Sequence, residues 1–217
     1  AVWLALLFAA LIGYWPLTSG LFGLKNDAYV YFLPSRFAIS DAIQQGQWPW
    51  WTPYYYMGHP LHADMQSGAW NPIVLGISLF TRYNLSWLQA ETVLYIFLAG
   101  MGMYKLVERC TSSTAIRVLI AVSYMFSGFI IDTAQITVWT GSAAFLPFVL
   151  HYFLRITGSN NIQWAGLGKL SISLYLLLTA GYPSFLIVAI EVLTVLYVYL
   201  LLTKWRLTGR RELPFRQ

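Results

Sequence analysis

Residues 25–72 read KNDAYVYFLPSRFAISDAIQQGQWPWWTPYYYMGHPLHADMQSGAWNP. Carboxylates, amides and two histidines are mixed here with many Trp, Tyr and Pro residues. A first apolar run precedes this stretch and a series of others follows it. Backbone polar groups cannot be left unpaired in hydrocarbon, so an irregular polar stretch between apolar runs belongs outside it. Its aromatics are of the kind that settle at the membrane–water interface. Carboxylates and histidines held there are placed for chemistry on a lipid-borne substrate.

Composition agrees. Of the 217 residues, 58% are hydrophobic and only 10% are charged, against about 25% charged in a soluble domain. So few charges could not cover a water-exposed surface. The apolar runs are continuous rather than alternating, which excludes a strand-built barrel and selects helices. The fold class expected is an all-α polytopic membrane protein, with residues 1–217 forming one transmembrane domain. The net charge of +5 does not imply nucleic acid as a partner, because the basic residues sit at the ends of apolar runs. The single cysteine, Cys110, rules out an internal disulfide. The first run has no basic flank and no small-residue cleavage site, so it reads as an anchor. Starting at Ala1 without methionine and stopping at Gln217 after a basic patch, the chain reads as an N-terminal fragment of something longer.

Six transmembrane helices are expected, at about 2–17, 87–104, 115–131, 138–154, 167–180 and 185–202. Orientation follows from the basic residues. With residues 24–85 as an extracytoplasmic loop, Lys105, Arg109, Arg117, Arg155, Lys169, Lys204, Arg206, Arg210, Arg211 and Arg216 fall inside. Only Lys25, Arg36 and Arg82 fall outside. Both ends of the chain are then cytoplasmic. The apolar run Pro72–Phe80 is too short to cross and is expected to lie along the outer leaflet. Residues 36–45 carry a helical period, with Ala38, Ile39, Ala42 and Ile43 on one face and Arg36, Ser40, Asp41, Gln44 and Gln45 on the other. This predicts an interfacial helix ended by Gly46.

Several residues are candidates for chemistry. Asp27, beside Asn26, reads both as an N-cap for the following helix and as a surface carboxylate acting as general base or metal ligand. His59, His62 and Asp64 form H-P-L-H-A-D. Two imidazoles and a carboxylate could hold a divalent cation or a phosphate, although Pro60 interrupts the helix that would align them. Gln66 and Asn71 add amides suited to sugar hydroxyls or phosphate. Asp132 and Gln135 lie in a short outer turn, where Asp132 could join Asp27 across one cavity. Glu191 falls inside the sixth apolar run and is expected to face the bundle and find a partner. Glu91 lies near the outer end of the second, within reach of water.

Residues 46–72, G-Q-W-P-W-W-T-P-Y-Y-Y-M-G-H-P-L-H-A-D-M-Q-S-G-A-W-N-P, resemble the signature of bacterial YfhO-type membrane proteins. That pattern is close to G-x-x-P-x-W-N-P-Y-x-x-x-G-x-P-x-x-A-x-x-Q-S-G-x-x-x-P. Thr52 stands where it has Asn. The runs L-A-G-M-G-M-Y (98–104), S-Y-M-F-S-G-F (123–129) and A-G-Y-P-S (180–184) resemble further pieces of the family.

The resemblance implies a GT-C-like glycosyltransferase of the bacterial cytoplasmic membrane. Such an enzyme moves a sugar from a polyprenyl-phosphate donor to a cell-envelope acceptor on the outer face. It implies Asp27 as the catalytic carboxylate of the first outer loop, deprotonating the acceptor hydroxyl, without a second acidic residue two positions on. Lys25, Arg36 or His59 would stabilise the leaving phosphate. His62, Asp64, Gln66 and Asp132 complete the substrate-binding candidates. Trp48, Trp50, Trp51, Tyr54, Tyr55 and Tyr56 would hold the loop on the membrane and stack on sugar rings. The rival readings are a transporter or flippase of lipid-linked saccharides, with Glu191 coupled to protons, and a non-catalytic envelope scaffold.

Overall fold

A computed structural model describes residues 2–54, 57–159, 161 and 163–208, the side chains of 206–208 excepted. Tyr55, Tyr56, Arg210, Arg211 and Arg216 lie outside the described residues. The described chain is helical, and its only extended pairing is an isolated bridge between Thr52 and His59.

The helices in order are α1 (Val2–Gly13), α2 (Trp15–Thr18), α3 (Leu33–Gln44), α4 (Pro72–Phe80), α5 (Leu85–Val107), α6 (Thr114–Met125), α7 (Gly128–Asp132), α8 (Thr137–Thr157), α9 (Trp164–Thr179) and α10 (Pro183–Thr208). Four stretches are long and apolar enough to cross a bilayer: Leu85–Val107, Thr114–Gln135, Thr137–Thr157 and Pro183–Trp205. Helices α1 and α9 are apolar but shorter. The first apolar run breaks after Gly13 because Pro16, near the start of α2, cannot continue the preceding hydrogen-bond ladder. Asn84 starts α5 earlier than the apolar pattern alone indicates, its side chain accepting from the Trp87 amide at 3.0 Å.

Helix α5 is the centre of the bundle, with α8 against one side and α1 and α6 against another. Small residues let the backbones approach. A Cβ at Gly141 would sit 3.1 Å from the Tyr95 ring, and one at Gly102 would sit 2.9 Å from Phe148. Two apolar clusters result: Leu6, Ala10, Ile96 and Met125 in one, and Tyr95, Ala144, Val149 and Leu177 in the other.

The segment between α2 and α5 is a folded cap on this bundle. Its start, a π-helical turn Ala28–Phe32, buries Ala28 and Phe32 against Leu88 of α5 and Val138 of α8. Helix α3 was expected to rest its apolar face on the membrane. Instead Ala38 and Ile39 pack on Val74 of α4, with Leu61, Ala69 and Tyr83. The expected polar face is divided: Arg36 and Ser40 are fully buried, whereas Gln44 and Gln45 are exposed. Phe37, an apolar residue on the polar side, is 41% exposed. The apolar face of α3 finds a protein partner in α4, whose nine residues span about 14 Å, too few to cross a bilayer.

The burial of Arg36 has one cause. Its Nη2 donates to Oε1 of Glu91 at 3.1 Å and its Nε to Oε2 at 3.2 Å. Both side chains have 0% exposure. Tyr83 adds a hydroxyl donor to Glu91 at 3.1 Å, and Arg36 also donates to the carbonyl of Ser67. Glu91, expected to reach water, is thus wholly enclosed. Burial alone would make Arg36 easier to deprotonate, but attraction to Glu91 outweighs it and holds the guanidinium above its ordinary value. Burial, then the charge of Glu91, push the Tyr83 hydroxyl well up, so Tyr83 stays a donor.

Glu91→Leu alone strands a buried guanidinium and should lower unfolding free energy by about 3–5 kcal/mol. The double variant Arg36→Met/Glu91→Leu should recover most of that loss. Thermal unfolding in one detergent checks both. Equal destabilisation of the single and double variants would show that the pair does not act as a unit.

Candidate functional site

The motif residues 58–72 fold around the buried guanidinium. Ser67 donates to the carbonyls of Leu61 at 2.6 Å and Asp64 at 2.7 Å and accepts from the Ala69 amide at 3.1 Å, closing the turn on itself. Gly68 has φ +81°, and a Cβ there would collide with the Arg36 guanidinium. Only glycine satisfies both constraints. Asn71 caps α4, its side chain accepting from the Ile73 amide at 2.9 Å, with Pro72 in the first turn. Its amide also donates to the Tyr95 hydroxyl at 2.8 Å and the Thr179 carbonyl at 3.2 Å. Gly181, φ +107°, lets the turn after α9 approach the same segment, since a Cβ would lie 2.8 Å from the Met65 carbonyl. The Q-S-G and N-P pieces of the motif are therefore the joint between cap and bundle.

Asp64 organises the adjoining surface. Its Oδ1 accepts from the Gln66 amide at 2.9 Å, capping the short turn Met65–Ser67. Its Oδ2 accepts from the Tyr31 hydroxyl and from His59 Nε2, the latter at 3.1 Å. His59 is itself set by the paired backbone bonds with Thr52, at 2.8 and 2.9 Å. Three donors thus fix one carboxylate, which in turn orients an imidazole. Sequence reasoning missed Tyr31, whose position among other aromatics carries no local signal.

His62 does not join this group. Its Nδ1 donates to the Trp50 carbonyl at 2.9 Å, its ring lies edge-on to Trp50, and its carbonyl accepts from the Trp70 indole at 2.8 Å. The expected H-P-L-H-A-D cluster is therefore divided, for the reason Pro60 suggested: no helix aligns the two imidazoles. Among the described residues, no group of three or more His, Cys, Asp or Glu side chains could hold a metal ion. The residues present do not fit the divalent cation considered from the sequence.

Asp27 stands at the N-terminus of the turn Ala28–Phe32, one turn before Tyr31. Its side chain makes no capping bond, so the cap reading fails. The backbone explains this: Asp27 has φ −58° and ψ −31°, already inside the helical region, where a side chain does not fold back onto the next amides. Asn26, at φ +50°, makes the turn into the helix. Asp27 is exposed, as are Lys25 and Asp132. The Asn26 amide donates to the Gln135 side chain at 2.9 Å, tying the segment of Asp27 to that of Asp132.

A cavity of about 530 Å³ lies between α1–α2 and α5, and none of Asp27, Asp132 and residues 59–64 lines it. Arg36, expected among the phosphate-binding cations, is committed to Glu91. Gln66 is half-buried and contributes backbone bonds to Asp64 and Arg36. Glu191 is exposed on α10 rather than turned into the bundle, because α10 meets its neighbours mainly through residues such as Ala189 and Phe185.

No family model, curated protein or solved structure matches this chain.

Asp64→Ala removes the acceptor of three donors and should lower stability by about 2–3 kcal/mol. Tyr31→Phe removes one donor and should lower it by about 1 kcal/mol. Limited proteolysis within residues 47–66 should accelerate in the same order. Identical cleavage rates in both variants and wild type would contradict the assignment of Asp64 as organiser.

Proposed function

We propose that this chain is the N-terminal part of a YfhO-type, GT-C-like glycosyltransferase of the bacterial cytoplasmic membrane. The observation that carries the reading is the exposed Asp27 carboxylate, free of any capping role, at the junction of cap and bundle. The ordered Tyr31–Asp64–His59 group begins one turn away. In this reading Asp27 takes the proton of an acceptor hydroxyl as its oxygen attacks the anomeric carbon. The bond from that carbon to the phosphate oxygen breaks, and polyprenyl phosphate leaves. Lys25 and the imidazole of His59 supply positive charge or a donor to the leaving oxygen. Arg36 acts at a distance, by fixing the motif turn. In this reading Asp132 and Gln66 bind the acceptor, and the Trp48–Trp50–Trp70 cluster, with centroids 6.3 and 5.4 Å apart, offers exposed rings for sugars.

Six spans accompany this reading: the four long apolar stretches plus α1 and α9, the shorter helices completing their crossing at the interface. The basic residues then place residues 24–85 on the outer face and both ends of the chain in the cytoplasm.

Asp27→Asn keeps the shape of the side chain and removes the base. Transfer from polyprenyl phosphate carrying radiolabelled glucose or N-acetylglucosamine, measured with the full-length protein in membranes, should fall by about 10²–10⁴-fold. Thermal stability should not change, because Asp27 makes no capping bond. Wild-type transfer by the variant would remove Asp27 from the mechanism. Absence of transfer by the wild type with either donor would favour a binding role for the loop.

The orientation has its own test in Cys110, exposed between α5 and α6. In intact cells Cys110 should resist an impermeant maleimide. A Gln47→Cys variant lacking Cys110 should label. The reverse pattern would invert the topology.

A further inference from the structure

The cavity of about 530 Å³ between α1–α2 and α5 has the size of a small-molecule site, about 300–1,000 Å³. Its lining changes character along its length. Helix α1 contributes Leu7 and Leu11 before α2 ends at Thr18 and Ser19. Helix α5 runs the other way, contributing Ser86 and Gln89 first and then Val93, Leu94 and Phe97. The polar groups of both walls therefore meet at the end nearest the loop, and the apolar groups meet at the other. No charged side chain lines it among the described residues.

The hydrogen-bond inventory at the polar end is specific. The Thr18 hydroxyl donates to the Leu11 carbonyl at 2.9 Å, and the Ser19 hydroxyl donates to the Pro16 carbonyl at 3.3 Å. With its proton committed, the Thr18 oxygen meets a ligand chiefly as an acceptor, whereas Ser19 Oγ already accepts from the Leu21 amide at 3.3 Å and keeps one further lone pair. The Gln89 amide gives one N–H to the Phe22 carbonyl and keeps its second N–H and its oxygen, and Ser86 adds a hydroxyl to the same wall. A phosphate brings negative charge, and no cation lines the cavity to meet it. A hydroxyl-bearing uncharged head finds complementary oxygens.

We infer that this cavity binds a single-chain amphiphile whose head is uncharged and carries hydroxyl groups, with its chain lying between α1 and α5. The inference rests on the cavity alone and does not depend on the transfer reading.

The test uses two photoactivatable lipids with the same diazirine-bearing acyl chain, a monoacylglycerol and a lysophosphatidic acid, added to the full chain in nanodiscs. Labelled peptides are located by mass spectrometry. The monoacylglycerol should label the α1–α2 and α5 peptides about tenfold more than the lysophosphatidic acid does, a difference of about 1.4 kcal/mol. Ala90→Phe fills the groove from its exposed rim and should reduce that labelling about tenfold. Labelling of α10, which lines no part of the cavity and has 6% of its span buried, should stay unchanged and reports that the fold is intact. Where Ala90→Phe does not fold, Leu94→Phe makes the same obstruction. Equal labelling of the α1–α2 and α5 peptides by the two lipids would reduce the site to general bilayer contact and overturn the inference. So would labelling that survives the obstruction. Either result leaves the Asp27→Asn assay unaffected.

Discussion

The ion pair between Arg36 and Glu91 is the interaction on which the arrangement of this protein depends. A guanidinium and a carboxylate are both removed from water here, with bidentate contact and 0% exposure. Two such charges tolerate burial only when their remaining hydrogen-bonding capacity is filled. Tyr83 and the Ser67 carbonyl do that filling. The pair therefore fixes more than two residues. It joins α3 of the cap to α5 of the bundle and requires the turn at residues 64–68 to close over it.

From that requirement the rest of the junction follows. Gly68 is needed because a side chain would occupy the guanidinium's place. Asn71 reaches past it to Tyr95 and Thr179, so the start of α4 is tied to both α5 and α9. Gly181 completes the contact by letting the turn after α9 touch the Met65 carbonyl. Residues separated by more than a hundred positions thus serve one joint. With α3 and α4 held, the π-helical turn at Ala28–Phe32 seats on Leu88 and Val138. That seating presents Asp27 at the surface and Tyr31 to Asp64.

The division between protein-facing and outward-facing surface is uneven among the helices. Residues of α5 and α8 are half or more enclosed, whereas the span of α10 is only 6% buried. An apolar helix of that kind satisfies every backbone group internally and is comfortable in lipid without tertiary contacts. Glu191, near the middle of that helix, is not enclosed by the bundle. Glu91, an equally isolated acid in the linear pattern, was enclosed because a complementary cation on α3 lies within its reach.

Much of the architecture was legible in the chain itself. Continuous apolar runs dictate helices because unpaired backbone is intolerable in hydrocarbon. The nine apolar residues of α4 announce a helix too short to span. The ends of elements were read less closely: Pro16 breaks the first run and Asn84 starts α5 earlier than the apolar pattern indicated. Partnership was not legible. The amphipathic pattern of residues 36–45 is the same whether its apolar face meets lipid or α4, and nothing in it marks Arg36 as buried. Asp27 beside Asn26 carries a start signal whose use depends on a backbone angle. His59 and His62 look equivalent in H-P-L-H-A-D, yet one is turned to Asp64 and the other to Trp50. Each of these choices rests on contacts between segments distant in sequence, where packing geometry decides which donor meets which acceptor. Local propensity is silent on that, and the tertiary structure alone decided it.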